Sequence, residues 1–118
     1  MILPGEQIRV YLAVGATDMR KQIDGLATLV EDVLEQDPFS NALFAFCNQR
    51  RDKLKLLFWH RNGFWLWYRR LERGRFHWPR HSAEGAAMQI STRELSWLLE
   101  GLDIARVEGH EKAEIGLL

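Results

Sequence analysis

Between Arg50 and Pro79 the chain carries nine basic residues, Arg50, Arg51, Lys53, Lys55, Arg61, Arg69, Arg70, Arg73 and Arg75, against two acids, Asp52 and Glu72. Nine against two is a net charge of +7 in thirty residues. Aromatic side chains are interleaved with the cations: GFWLWYRRLERGRFHWP, Gly63 to Pro79, holds three tryptophans, two phenylalanines and a tyrosine. Lysine and arginine neutralise phosphates, and exposed rings stack on unpaired bases at about 1–3 kcal/mol each. These nine cations, with Trp59, Phe64 and Tyr68, are therefore the candidate nucleic-acid contacts. The competing reading is structural. Tryptophan and tyrosine are natural strand residues, and long cationic side chains often lie over apolar rings merely to shield them. The remaining residues carry a net −7, so the whole chain has no net charge. Two such poles could attract each other, or could turn one face to an anion and the other to a basic partner.

Other chemistry finds little footing. His77 and His81 are four apart, but Pro79 between them prevents the shared helical face that two zinc ligands usually occupy. Cys47 is the single cysteine, so neither an internal disulfide nor a thiolate ligand set is available. Asp18 and Asp24 are more simply a helix cap and an exposed position than metal-holding acids, and Glu31, Asp32, Glu35 and Asp37 read as a solvated helix end. No phosphate-cradling glycine loop and no local Ser, His and Asp signature is present. The expectation is a protein without catalytic residues, metal or cofactor.

The elements that must position the basic stretch can be read from periodicity. A chain of 118 residues fits one domain, expected over residues 1–106, with a loose tail over 107–118. No signal-peptide pattern opens it and its longest apolar runs are too short to span a bilayer, which predicts a cytoplasmic protein with no membrane partner. Ile8–Ala13 alternates as a first strand, stopped by Gly15. Thr17 or Asp18 can cap a helix whose stripe is Met19, Ile23, Leu26, Leu29 or Val30, Val33 and Leu34. Gly25 inside it costs roughly 1 kcal/mol of propensity, which suggests a close packing contact. Asp37-Pro38 ends that helix.

From Ala42 the period becomes two. Ala42–Asn48 and Lys53–His60 read as strands joined by a turn, and Asn62-Gly63 reads as the two-residue loop of a hairpin. That loop would set Arg61 opposite Phe64, His60 opposite Trp65, Phe58 opposite Trp67, Leu56 opposite Arg69 and Leu54 opposite Leu71. The face of Leu54, Leu56 and Phe58 is mostly apolar and should pack on a helix. The other face mixes aromatics with cations. Phe76 and Trp78 could begin a further short strand, Ala86–Ser91 a last one, and Ser91 with Glu94 has the capping-box spacing of a second helix. Its stripe is Leu95, Leu98, Leu99 and Leu102, and Gly101 is placed to end it. The sum is an α+β domain: a small antiparallel β-sheet with a central Asn-Gly hairpin, packed against two α-helices.

GATDMRKQIDGLATLV from Gly15, DPFSNALFAFCNQRRDKLKLLFWHRNGFWLWYRRLERGRFHWP from Asp37, and LSWLLEGLD near the end together resemble the TnpB accessory-protein family of insertion sequence sixty-six elements. The resemblance covers roughly Val10 to Asp103. Its motif positions fall on Thr17, Asp18, Met19, Arg20, Lys21, Asp24 and Gly25, on Asp37 to Phe39, on Arg50 to Asp52, and on Arg70 to Glu72, Gly74 to Phe76, Trp78 and Pro79. Gln22 departs from a usual small residue and His60 from a usual acid. The resemblance implies a bacterial, non-catalytic accessory role in DNA transposition, with the transposase of the same element and DNA as partners. Contact with DNA through the basic hairpin is the first expectation, and an adaptor that binds the transposase through protein alone is the alternative.

Overall fold

A computed structural model describes residues 8–101. Its elements run β1 (Arg9–Ala13), α1 (Ile23–Asp32), β2 (Ala42–Cys47), β3 (Lys53–His60), β4 (Gly63–Arg70), β5 (Ala87–Ile90) and α2 (Thr92–Leu99). The strands form one sheet in the order β4-β3-β2-β1-β5. β2 lies at its centre and all six of its residues are buried. That explains its run ALFAFC, since a strand covered on both faces needs apolar side chains on both.

The expected α+β domain is present, with two helices and a mostly antiparallel sheet. One pair departs: β1 and β2 run parallel, Arg9 opposite Ala42 and Leu12 opposite Ala45. A helix between two strands carries the chain back to its starting end, so the second strand can lie beside the first in the same direction. The carboxyl ends of β1 and β2 therefore open at the same end of the sheet as the β2–β3 turn.

The two faces have separate cores. Leu26, Val30 and Leu34 of the α1 segment cover Ala42, Phe44, Phe46 and Leu57 on one face. On the other, Leu95 and Leu98 of α2 join Val10, Leu12, Leu43, Leu54, Leu56 and Phe58. Phe76 and Trp78 complete this second core. They lie on no strand, contrary to the sequence-based expectation. Residues 71–81 instead form an irregular strap that carries the chain from edge strand β4 to edge strand β5. The strap alternates: Phe76 and Trp78 are buried, and His77 between them is exposed. Leu71 and Phe76 donate their amides to the carbonyls of Asp52 and Arg51 at 2.8 and 2.7 Å, Pro79 accepts from Gly15 at 2.9 Å, and Trp78 Nε1 donates to Ala13 at 2.9 Å.

Helix starts divide into one agreement and one difference. At α2, Ser91 and Glu94 form the reciprocal capping box, and Gly101, at φ 83°, accepts the left-handed backbone that ends the helix. Leu102 and the expected tail lie outside the described residues. At α1 the helix begins at Ile23, after Gln22, and Thr17 and Asp18 cap nothing. The amide of Thr17 instead donates to the Cys47 carbonyl at 2.7 Å, and Asp18 Oδ1 accepts from the Arg20 amide. The carbonyls of Met19 and Lys21, which an earlier helix start would turn on the amides of Ile23 and Gly25, point at the ammonium of Lys55.

Cys47 is buried in the second core. Burial disfavours its thiolate and pushes the thiol up to about 12. At pH 8 roughly one thiol in ten thousand is then ionised, and the thiolate is the reactive form. Native protein at pH 8 is therefore expected to resist a disulfide reagent such as DTNB until it unfolds, so that labelling follows the urea unfolding curve. Stoichiometric labelling within minutes in the absence of urea would contradict this burial.

Candidate nucleic-acid interface

The β2–β3 turn is where the basic stretch begins, and one asparagine organises it. Asn48 Oδ1 accepts from the amides of Asp52 and Lys53, both at 3.0 Å, and Asn48 Nδ2 donates to Asp52 Oδ1 at 2.7 Å. This last bond holds the Asp52 carboxyl below the usual carboxylate range. The Arg51 amide closes the turn on the Asn48 carbonyl at 3.1 Å, with Arg51 at φ 61°. Such closure holds a non-glycine residue in the left-handed region, which otherwise costs about 1–2 kcal/mol. Arg50 and Arg51 are thus presented from a closed loop.

The strap then brings its own cations to that loop. Because Leu71 and Phe76 bond to the carbonyls of Asp52 and Arg51, the segment that carries Arg73 and Arg75 is held against the loop that carries Arg50 and Arg51. Lys53 opens β3 and stands opposite Arg70, and Leu54 stands opposite Arg69. Arg50, Arg51, Lys53, Arg69, Arg70, Arg73 and Arg75 therefore gather at one end of the sheet. Among the described residues only Arg70 of this group has an ion-pair partner: its Nη2 lies 2.7 Å from Glu72 Oε1, an exposed pair that raises the Arg70 guanidinium pKa and adds little stability.

Two of the candidate cations lie elsewhere. Lys55 is only 6% exposed, and its Nζ donates to the carbonyls of Met19 and Lys21 at 2.8 Å each and to Gln22 Oε1 at 3.4 Å. It pins the segment leading into α1 and is not part of the exposed basic end. Arg61 sits in the β3–β4 turn, at the far end of β3, about 23 Å away at ~3.3 Å per residue.

That turn also differs from expectation. His60 pairs with Gly63, so Arg61 and Asn62 are the loop residues, with Arg61 at φ 60°. Trp65 then faces Phe58 and Trp67 faces Leu56, each two residues from the expected partner. A slip of two leaves every side chain on its original face, so alternation constrained the faces without constraining the register.

The aromatics separate from most of the cations. Trp59 and Phe64 are half-buried in a cluster with Phe39, with ring centroids 4.9–5.4 Å apart, at the Arg61 end. Tyr68 alone of the three candidate rings lies toward the basic end, 53% exposed and two residues from Arg70. Trp65, which the sequence placed on a helix-covered face, is 55% exposed and stacks on Trp67 at 6.2 Å. α2 packs over β1, on the far side of the sheet from β4, and leaves this edge uncovered. Nothing local to residues 63–70 signals that β4 is an edge strand.

The family-motif segment Thr17 to Gly25 lies on the α1 side. Asp18 and Arg20 form an exposed ion pair at 2.8 Å, and the guanidinium of Arg20 holds the Asp18 carboxyl at about 2. A Cβ added to Gly25 would lie 3.3 Å from Lys21 Cβ, so glycine permits the chain to turn tightly into α1 there. Among the described residues no three His, Cys, Asp or Glu side chains converge, around Asp18 and Asp24 or elsewhere. Among the same residues no helix is long and apolar enough to cross a membrane.

The chain compares as follows with known proteins. The model of the IS66 Orf2-like protein family matches residues 8–109. Two curated relatives come from Sinorhizobium fredii (strain NBRC 101917 / NGR234). "Uncharacterized protein y4hO" is 43% identical over 103 residues, covering 87% of this chain and 88% of the relative. "Uncharacterized protein y4jC" is 34% identical over 108 residues, covering 92% and 91%. No solved structure matches. A family match across nearly the whole domain, with two relatives of similar length, places this chain in the IS66 Orf2-like family, the accessory proteins associated with transposition of IS66 insertion sequences.

Proposed function

We propose that this chain is a non-catalytic transposition factor that contacts DNA through the basic end of its sheet, alongside the transposase of the same element. The observation that supports this reading is the convergence of Arg50, Arg51, Arg73 and Arg75 on a loop and strap tied together by main-chain bonds, with Arg69 at the adjoining end of β4, none of the five in an ion pair among the described residues. Unpaired arginines held on fixed backbone suit phosphate oxygens, to which a guanidinium can donate two parallel bonds. Lys53 and Arg70 extend the same surface, and Tyr68 offers a ring for an unpaired base.

Fluorescence anisotropy of labelled element-end DNA and scrambled single- and double-stranded controls, across a salt series, tests this. Five phosphate contacts predict a slope of log affinity against log salt of about −4 to −5 on duplex. Replacing Arg73 and Arg75 together by alanine is expected to make that slope shallower by about two. Absence of binding at low salt would sink direct contact by the isolated chain.

The uncovered β4 edge, with Trp65 exposed, favours a second reading, an adaptor that binds the transposase, since aromatics and arginine dominate protein interfaces. Binding of that kind should vary little with salt and should weaken when Trp65 becomes alanine.

A further inference from the structure

At the basic end, the strap closes over the carboxyl ends of the parallel strands β1 and β2 and leaves a half-open cavity of about 220 Å³. Among the described residues its walls include Gly15, Asn48, Arg51, Trp78, Arg80 and His81, and no carboxylate. We propose that this cavity is a binding site for a phosphate monoester, the terminal phosphate of a DNA strand being the source that fits the function above, on which this inference rests.

Arg51 comes from the β2–β3 turn and Arg80 from the strap, so the cavity is lined by guanidiniums from two parts of the chain distant in sequence. Among the described residues neither pairs with a carboxylate, and no acid on the walls competes for them. Both walls are fixed. Asn48 locks the turn, and Trp78, 5% exposed with Nε1 bonded to the Ala13 carbonyl, forms a rigid apolar side. Gly15, bonded through its amide to Pro79, draws the strap against the end of β1. Its φ of 82° suits glycine, so the chain can turn sharply there and leave the cavity open.

Size and position narrow the ligand. The volume is below the roughly 300–1,000 Å³ that drug-sized ligands occupy, and suits one anionic group with at most an adjoining sugar. Ligands of sheets with parallel strands collect beyond the carboxyl ends of those strands, where this cavity lies. A terminal phosphate carries more charge than a backbone diester, and two arginines of separate origin can grip it from different directions. The exposed arginines nearby would track the backbone while the cavity takes the end.

The test uses the whole chain and three probes: inorganic phosphate against matched chloride, a short single strand with a 5′-phosphate, and the same strand ending in a hydroxyl. Inorganic phosphate is expected to shift the amide resonances of Gly15, Arg51, Arg80 and His81 saturably. The phosphorylated strand is expected to bind about tenfold tighter than the hydroxyl-ended one, as one added charge-assisted contact gives. Arg80→Ala, at an exposed position outside the sheet, should abolish both effects while leaving most affinity for the hydroxyl-ended strand. Arg51→Ala, if it folds, should also remove the phosphate-induced shift and the preference for the phosphorylated strand, and should weaken both strands because Arg51 is also among the backbone contacts. Equal affinity for the two strands, with no resonance shift from phosphate, overturns the cavity as a site even if DNA binding itself holds. If neither strand binds but phosphate still shifts the cavity resonances and Arg80→Ala removes the shift, the site stands for a free phosphate compound and the DNA reading fails.

Discussion

Replacing Phe76 with alanine is expected to cost the fold about 4 kcal/mol, within the roughly 3–5 kcal/mol seen when a buried phenylalanine is removed from a core. The strap has no regular ladder of its own. It is held by Phe76, fully buried, by Trp78, and by the three main-chain bonds through Leu71, Phe76 and Pro79. Against a total stability of about 5–15 kcal/mol for a domain of this size, 4 kcal/mol is a large share. Urea unfolding measures it, and a loss of less than about 1 kcal/mol would mean that the cavity left by Phe76 collapses or that the strap is not anchored there. Trp78→Phe separates the second anchor into its parts. It keeps most of the ring volume and removes the Nε1 donor to Ala13, and about 1 kcal/mol is expected from that bond. The functional consequence follows from position. Arg73, Arg75 and Arg80 ride on the strap, so loosening it should weaken DNA contact in protein that is still folded elsewhere.

Lys55→Met should separate stability from binding in the opposite sense. Hydrogen bonds to a charged donor contribute about 1.5–3 kcal/mol each, and the ammonium of Lys55 gives two short ones, to the Met19 and Lys21 carbonyls. Methionine fills the methylene channel but leaves both carbonyls without that donor, and relieving the buried charge offsets part of the loss. A net destabilisation of about 3 kcal/mol is expected, read as a fall of roughly 1–2 M in the urea midpoint. DNA affinity of the folded variant should stay within about twofold of the original with an unchanged salt slope, because a cation that touches no phosphate releases no counterion. A slope reduced by about one would instead make Lys55 a contact residue. Arg73→Ala with Arg75→Ala is the complementary pair: little change in stability and a shallower slope.

Much of the local structure was legible in the chain because its causes are local. The capping box of Ser91 and Glu94 and the glycine that ends α2 depend only on atoms a few residues apart. Alternation along residues 53–70 placed Leu54, Leu56 and Phe58 on one face and Lys55, Leu57 and Trp59 on the other, and it was correct even where the turn slipped by two. The excess of cations between Arg50 and Pro79 is a count, and no fold can alter it. The start of α1 is not legible in its own segment because the group that displaces it, Lys55, lies more than thirty residues away.

What tertiary structure alone decided is which of these residues meet. Residues of β3 and β4 alternate aromatics and cations along the chain, yet the sheet sends Trp59, Phe64 and Arg61 to one end and most of the arginines to the other, since two ends of an eight-residue strand cannot touch the same ligand group. Trp65 is exposed because β4 is an edge, and edge or centre is a property of strand order, which pairings between distant segments set. The strap from β4 to β5 likewise brings Arg73, Arg75 and Arg80 against a turn some twenty to thirty residues earlier and encloses the cavity at the ends of the parallel pair. Local propensity determined the pieces and the charge they carry. Burial of both faces of β2, which required a helix on one side and α2 with the strap on the other, determined where that charge is displayed.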